Sequence, residues 1–377
     1  MHPELLDSYL DSLRNCGVPG LDLIIRQDRR TLYRHMTGYE DAKGTRPISE
    51  RTLYRLYSAS KIFTCTTAMR LVEEGKIGLT QPVSDFIPEY ADLQVQNPDG
   101  TLTPTSEPLR VIHLFTMTGG MDYNIGHPVI QEAAHAPGAT TLSVMRAMAR
   151  KPALFTPGTH FRYSLCHDLL GAVIEVASGM TLGAYMKKVI FDPLGMQETG
   201  FDWDEPRVKR LADLFRFEPG TGTSVEIPNV DDHICPGFES GGGGLIGSVN
   251  DYILLLDTLA NDGLTPDGYR LLKPETIAML EVNRLSPDPL RDFVGGMNRL
   301  FGYGWGLCGR VHINPAYSYG RSSVGEFGWD SATGMYALVD RKKHLSLFYS
   351  MHMHGCNFAY HVIHPKIRDL AYEALDL

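Results

Sequence analysis

A serine becomes a strong nucleophile only when a neighbouring base takes its proton, and Ser58 has a candidate three residues away in the run Ser58-Ala59-Ser60-Lys61. On a helix, positions three apart share a face, and a serine at the amino end also feels the positive end of the helix dipole. A lysine can act as that base only where burial or nearby cations lower its proton affinity. A four-residue pattern of this kind turns up by chance on the order of once in a chain of this length, so it needs company. Tyr163, in Phe155-Thr156-Pro157-Gly158-Thr159-His160-Phe161-Arg162-Tyr163-Ser164, supplies it. A phenol with a pKa near about 10 serves as a base when a cation holds its phenolate, and Lys61 is the candidate cation.

These residues have to be brought together by the elements around them. Ile62, Phe63, Ala68, Leu71 and Val72 keep helical spacing over residues 59–74, with Gly75 as a cap, which places Ser58 and Lys61 in one helical turn. A second helix is read over 168–177 from Leu169, Leu170, Val173, Ile174 and Ala177, closed by Gly179, so Tyr163 falls on the loop before it. Leu5, Leu6, Tyr9, Leu10 and Leu13 mark an amphipathic opening helix, and further helices are expected over 251–259 and 365–375. Strand-like runs at 21–26 and 31–37 flank Asp28-Arg29-Arg30, and runs at 335–339 and 345–350 flank Asp340-Arg341-Lys342-Lys343, giving one hairpin signal near each end of the chain. The middle is rich in Pro and Gly and carries turns such as Asn97-Pro98-Asp99-Gly100. The expected fold class is α/β (α+β): an antiparallel sheet flanked by helices and built from both chain ends (1–79 and 239–377), with a mainly helical insertion (80–238) folded over it and a cleft between them.

Composition narrows the function classes. With 43% apolar and 21% charged residues over 377 positions, the chain can bury a large core and is not a disordered segment. A net charge of -9 without a dense basic run gives no footprint for nucleic acid, and no apolar run reaches the roughly 18 residues of a membrane span. The first residues lack the basic and apolar blocks of a signal peptide, so the cytoplasm is the expected compartment if Met1 is the native start. Six scattered cysteines with no CxxC pair point to reduced thiols. A small-molecule partner is expected, and the surface leaves room for a homo-oligomer.

The ordered motifs resemble the serine β-lactamase and penicillin-binding-protein superfamily, in particular the branch of class C β-lactamases, family VIII esterases and D-amino-acid peptidases. Besides SxxK and the tyrosine segment, Leu114-Phe115-Thr116-Met117-Thr118-Gly119-Gly120 resembles the LLTHTSG stretch, Phe191-Asp192-Pro193-Leu194-Gly195-Met196 the PLGM turn, and Gly241-Gly242-Gly243-Gly244-Leu245 the GGG-L run. The likeness spans about residues 18–352. It implies an acylated Ser58, general acid and base work shared by Lys61 and Tyr163, an oxyanion hole of the Ser58 and Trp329 backbone N–H groups, and no cofactor.

Two departures bear on substrate. The third motif, KTG or HxG on a strand edging the cleft, is best matched by Glu326-Phe327-Gly328, where a carboxylate replaces the cation that receives the carboxylate of a β-lactam or D-alanyl peptide. Reversing that sign at ~4 Å and an effective dielectric of ~20 alters a term of about 4 kcal/mol. Leu165 stands where the YxN motif has an asparagine that bonds the β-lactam amide. Both point toward a neutral ester or amide. Tyr123, Tyr303 and Trp305 are read as lining the cleft. A D-amino-acid peptidase or β-lactamase and a noncatalytic sensor stay open as alternatives. The chain has no GxSxG elbow and no HExxH helix. His352, His354 and Cys356 alternate, with His361 and His364 beyond, in a pattern more in keeping with packing than with zinc, and no metal is expected.

Overall fold

Successive side chains of a strand point to opposite faces, so alternation in the central sheet shows which helices cover each side. In the computed structural model, which describes residues 2–228 and 234–377, seven strands form that sheet: β1 (Gly20–Gln27), β2 (Arg30–Gly38), β3 (Tyr303–Trp305), β4 (Arg310–His312), β5 (Phe327–Gly328), β6 (Tyr336–Asp340) and β7 (Leu345–Met351). Their spatial order is β2-β1-β7-β6-β5-β4-β3, with neighbours antiparallel throughout. The two hairpins therefore lie side by side, Leu21 opposite Met351 and Gln27 opposite Leu345. This is the sheet expected from both chain ends. The first hairpin turns through Asp28 and Arg29, at φ 48 and 64 degrees, the double left-handed geometry that suits the twist of a two-residue connection.

One face of the sheet presents Leu21, Leu23, Ile25, Leu338, Leu347 and Tyr349 to Leu6 and Leu10 of α1 (Glu4–Ser12) and to Ile367 and Ala371 of a C-terminal helix, His364–Ala374. The other face presents Ile24, Ala337, Val339 and Phe348 to a core that includes Ile62 and Phe63 of α2 (Ser60–Glu73) and Tyr252, Leu255 and Leu256 of the helix Val249–Ala260. Between these helices in the chain comes α3 (Cys166–Ser178), which packs on α2 and ends at Gly179, φ 70 degrees. The segment expected to be mainly helical also carries two β ribbons. Gln94–Gln96 pairs with Leu102–Pro104 around the Asn97-to-Gly100 turn, and Leu214–Glu218 pairs with Thr223–Ile227 and, in parallel, with Met353–His354.

With α3 and the sheet side packed around it, α2 is buried over its first three turns, from Ser60 to Met69. A helix so enclosed must satisfy its own polar side chains, and Thr67 does so by donating to the Phe63 carbonyl at 2.8 Å. Its start is tied to the sheet by Tyr252, whose ring stacks on Phe348 with centroids 3.9 Å apart and whose hydroxyl donates to the Ala59 carbonyl at 2.8 Å. All six cysteines are free thiols. Among the described residues no single helix is long and apolar enough to cross a membrane.

The Tyr252–Phe348 stack thus joins the sheet to the start of α2. Phe348→Ala is expected to destabilise the fold by about 3–5 kcal/mol in urea unfolding, the usual cost of emptying a buried aromatic site. A loss below about 1 kcal/mol would show that this contact does not anchor the helix.

Candidate active site

Ser58 sits in a short 3-10 turn, Tyr57–Ala59, that runs directly into α2. Tyr57 before it has φ of 44 degrees, a left-handed conformation that costs a non-glycine residue energy and clusters at functional turns. The turn is held from upstream by Tyr54–Arg55, which pairs with Ile246–Gly247, and by the Leu56 N–H, which donates to the Leu245 carbonyl at 2.9 Å.

Lys61, one turn further on, exposes only 1% of its surface. An ammonium so enclosed needs acceptors for its three protons, and it has three: Ser58 Oγ at 3.2 Å, Tyr123 OH at 2.9 Å and the Gly242 carbonyl at 2.5 Å. The glycine run comes this close because it has no side chains. A Cβ on Gly241 would stand 2.5 Å from the His167 carbonyl, and one on Gly242 would stand 2.5 Å from Asp168 Oδ2. Thr64 Oγ1 also donates to the Gly241 carbonyl at 2.7 Å, and the Leu245 N–H to Ser60 Oγ at 3.2 Å, so α2 and this run are laced together along one side.

Tyr163 lies on the loop just before α3. Its hydroxyl accepts from Trp329 Nε1 at 2.8 Å, and Lys61 Nζ stands 4.7 Å from the centre of its ring. The Tyr163 and Tyr123 rings are 5.6 Å apart, so two phenols flank the ammonium, and Tyr123 rather than Tyr163 takes its hydrogen bond. Tyr123 is fixed by its neighbour Asp122, whose carboxylate pairs with Lys151 and whose carbonyl accepts from the Leu165 N–H at 3.3 Å. Burial, with Tyr163 and Asp168 nearby, pushes the Tyr123 phenol well above its usual range, so it stays protonated at neutral pH.

A cavity of about 320 Å³ opens at Ser58, large enough for a small-molecule ester. Its wall includes Tyr57, Tyr123, Ile125, Tyr163, Leu165, Trp203, Ile234 and Phe238, with Gly242, Gly243 and Gly244 beside the nucleophile and Ala332 opposite. Arg55 also lines it, its guanidinium over the Trp203 ring at 5.3 Å.

Of the residues expected at the site, Ser58, Tyr163, Tyr123 and Leu165 line this cavity, and Lys61 is buried behind it in contact with Ser58 and Tyr123. Trp329 contributes its indole N–H, which donates to the Tyr163 hydroxyl. Others do not line it, and they correct the reading of the third motif. Glu326 is 1% exposed and turned away: its carboxylate pairs with Arg310 NH2 at 3.2 Å and accepts from Tyr303 OH at 2.9 Å and Ser322 Oγ at 3.2 Å. Arg310, itself buried, also pairs with Asp330 at 3.0 Å. The expected repulsion between Glu326 and a substrate carboxylate therefore does not arise, because a guanidinium 16 residues upstream in sequence neutralises that charge inside the sheet edge. Tyr303 belongs to the same network, Phe327 is in the core, and Gly328 is needed as glycine because a Cβ there would meet the Ala337 carbonyl at 2.0 Å. Trp305 is fully buried behind Tyr163 and Trp329 and donates to the Phe115 carbonyl at 2.9 Å.

The C-terminal histidines are used in packing: His352 Nδ1 meets the Asp213 carbonyl at 2.6 Å and His364 Nε2 the Gly334 carbonyl at 2.9 Å. Among the described residues no group of three or more His, Cys, Asp or Glu side chains is placed to hold a metal ion.

A family model described as Beta-lactamase matches residues 6–369. The chain belongs to the beta-lactamase family. Within that family it is similar to Esterase EstB of Burkholderia gladioli, 30% identical over 375 residues that cover 91% of this chain and 88% of the relative. In fold it is similar to EstCE1, a hydrolase with promiscuous acyltransferase activity (TM-score 0.80, 23% identity, 97% of each chain), and to unliganded simvastatin synthase LovD from Aspergillus terreus (TM-score 0.82, 20% identity, 99% of each chain). Membership of this family, with an esterase among the relatives, makes the protein a serine-hydrolase-type acyl-transfer enzyme in the broad sense.

The buried Arg310 pair gives a separate check on the corrected register. Arg310→Ala leaves Glu326 without its guanidinium and Asp330 with only that of Arg299, and is expected to cost about 3–5 kcal/mol of stability, whereas Glu326→Gln, which loses one accepting oxygen but strands no buried charge because Arg310 keeps Asp330, should cost clearly less. Equal small losses in thermal or urea unfolding would mean that Glu326 faces solvent or the cleft instead.

Proposed function

We propose that the protein is an esterase-like serine hydrolase that forms an acyl-enzyme at Ser58 and passes the acyl group to water or another acceptor. The observation that carries this reading is the arrangement at Lys61, whose three donors meet Ser58, Tyr123 and the Gly242 carbonyl while Tyr163 receives the Trp329 indole N–H. An ammonium with all its protons donated cannot take another, which makes Tyr163 the base. Its phenolate is supported by the Lys61 charge across the ring and by the indole donor. Ser58 Oγ attacks the ester carbonyl as its proton passes to Tyr163. The same phenol then protonates the departing alcohol, and water or another acceptor repeats the sequence on the acyl-enzyme. The developing oxyanion would be held by the Ser58 and Trp329 backbone N–H groups.

The cavity supports a neutral, largely apolar substrate. Leucine at 165 cannot hydrogen-bond an amide side chain, and aromatic and aliphatic groups make up most of the remaining wall. A D-amino-acid peptidase or β-lactamase would need a cation to receive its substrate's carboxylate. The cation in the described wall, Arg55, lies over Trp203. Retention of the full Ser58, Lys61 and Tyr163 set disfavours a noncatalytic sensor.

The test is labelling with a fluorophosphonate probe, followed by turnover of short p-nitrophenyl esters and a chromogenic cephalosporin. Wild type should be labelled and Ser58→Ala should not. Esters should be preferred by at least about a hundredfold in kcat/KM. Absence of labelling in wild type would sink the acyl-enzyme, and preference for the cephalosporin would sink the esterase reading. Tyr163→Phe should lower kcat by roughly 10²–10⁴-fold, the usual contribution of a general base, and Trp329→Phe by about 10–100-fold through loss of one hydrogen bond to a charged group. If Tyr123→Phe instead proves the more damaging tyrosine change, the base has been assigned to the wrong phenol.

A further inference from the structure

A buried ammonium needs a counter-charge as well as acceptors. The groups acting on Lys61 are Cys65 on its own helix, Cys166, His167 and Asp168 on α3, and the two tyrosines on the loops. Burial, opposed by the Ser164 hydroxyl, raises the Cys166 thiol to about 11, and burial together with Cys308 raises Cys65 further. Burial, reinforced by Lys61 itself, lowers His167 to about 3 and keeps it neutral. The Tyr123 phenol is also held protonated. Of the groups just named, Asp168 is the carboxylate.

Its placement is specific. Asp168 is 1% exposed; its Oδ1 accepts from the Gly242 N–H at 3.2 Å and from Ser240 Oγ at 2.5 Å, while Oδ2 is buried without a hydrogen-bond partner against the Gly242 Cα. Gly242 is the residue whose carbonyl receives the shortest hydrogen bond of Lys61. The carboxylate therefore grips from one side the same residue that Lys61 grips from the other. Burial raises its carboxyl from the usual range, and the Ser240 hydroxyl, the Lys61 charge and the Gly242 N–H oppose that rise. Asp168 does not line the substrate cavity.

We propose that Asp168 is a positioning residue for the Ser58 reaction: through the Gly242 backbone and its own charge it keeps Lys61 in place beside Ser58 and Tyr163. This rests on the acyl-enzyme reading above. It separates the two jobs of the glycine run, which is small so that Gly242 can be clamped between an acid and an ammonium, and which also floors the cavity.

Asp168→Asn keeps the size and an acceptor oxygen for Gly242 and removes the charge. Removing this buried charge changes the field on the Ser58, Lys61 and Tyr163 set, so the alkaline limb of the kcat/KM profile on a p-nitrophenyl ester should move down by about one pH unit. kcat should fall about tenfold or more while KM stays within about twofold, because no cavity contact is lost. Asp168→Ser, which keeps only a hydroxyl acceptor, should move the limb the same way. Asp251→Asn is the control, since Asp251 is another buried acid that accepts a backbone N–H, from Glu198 at 2.7 Å, at a distance from the cavity wall; its profile should not move. An unmoved alkaline limb in either folded Asp168 variant overturns the proposal. So does failure of both to fold while Asp251→Asn folds, which would assign Asp168 to structure alone. Wild type that is not labelled by the fluorophosphonate probe would instead fail the acyl-enzyme reading itself, so the two failures are distinguishable.

Discussion

The site is organised by the burial of one positive charge. Lys61 is almost wholly removed from water, and the desolvation of an ammonium is tolerated only where protein groups replace the lost hydration on all sides. Each replacement constrains the chain. The Gly242 carbonyl can approach only if the run around it lacks side chains, which requires glycine at 241 and 242, where a Cβ would stand 2.5 Å from the His167 carbonyl and from Asp168 Oδ2, respectively. The Tyr123 hydroxyl can approach only if its loop is pinned, which the Asp122–Lys151 pair does. The Ser58 hydroxyl is brought within 3.2 Å of the ammonium by the spacing of a helical turn, the contact on which the proposed reaction depends.

The fold makes such burial affordable by packing α2 as a central helix. Its polar atoms are absorbed by threonine bonds to its own backbone and to the glycine run, and its apolar groups join the larger core beneath the sheet. Rigidity matters here, because a general base works only within hydrogen-bond reach of the proton it takes. Trp329, just beyond the inner strand β5, conveys the rigidity of the sheet to Tyr163, since its indole is wedged against Trp305 with ring centroids 4.5 Å apart while its N–H holds the phenol.

What could be read in the sequence was what depends on local spacing. The Ser58–Lys61 turn, the loop position of Tyr163, both hairpins and the helices around them follow from periodicity and turn residues within a few positions. What could not be read depends on partners distant in sequence. Glu326 looked like a charge facing substrate because nothing in its vicinity announces Arg310, which reaches it from the adjacent strand. Asp168 looked like the first residue of a helix, which it nearly is, and only the approach of Gly242, 74 residues later, makes it part of the site. Tyr123 carried no signal beyond being aromatic near a turn, and its loop is held by the ion pair of its neighbour Asp122 with Lys151, 29 residues beyond Asp122.

The corrected place of Glu326 changes the reason for expecting an apolar substrate without changing the expectation. Repulsion by a carboxylate would have excluded anionic substrates actively. With that charge neutralised by Arg310, the proposed preference rests on the rest of the wall: Leu165 offers no amide to a β-lactam side chain, and the described lining is mostly aromatic and aliphatic, with the Arg55 guanidinium lying over Trp203. Discrimination by missing hydrogen bonds is strong for polar substrates, whose groups are left unpaired, and weak among apolar ones, which differ by about 1–3 kcal/mol per methylene. On the proposed esterase reading, such a pocket would disfavour penicillin-like molecules by their polarity and sort esters by their size, within the volume bounded by Ile125, Leu165, Trp203, Ile234 and Phe238.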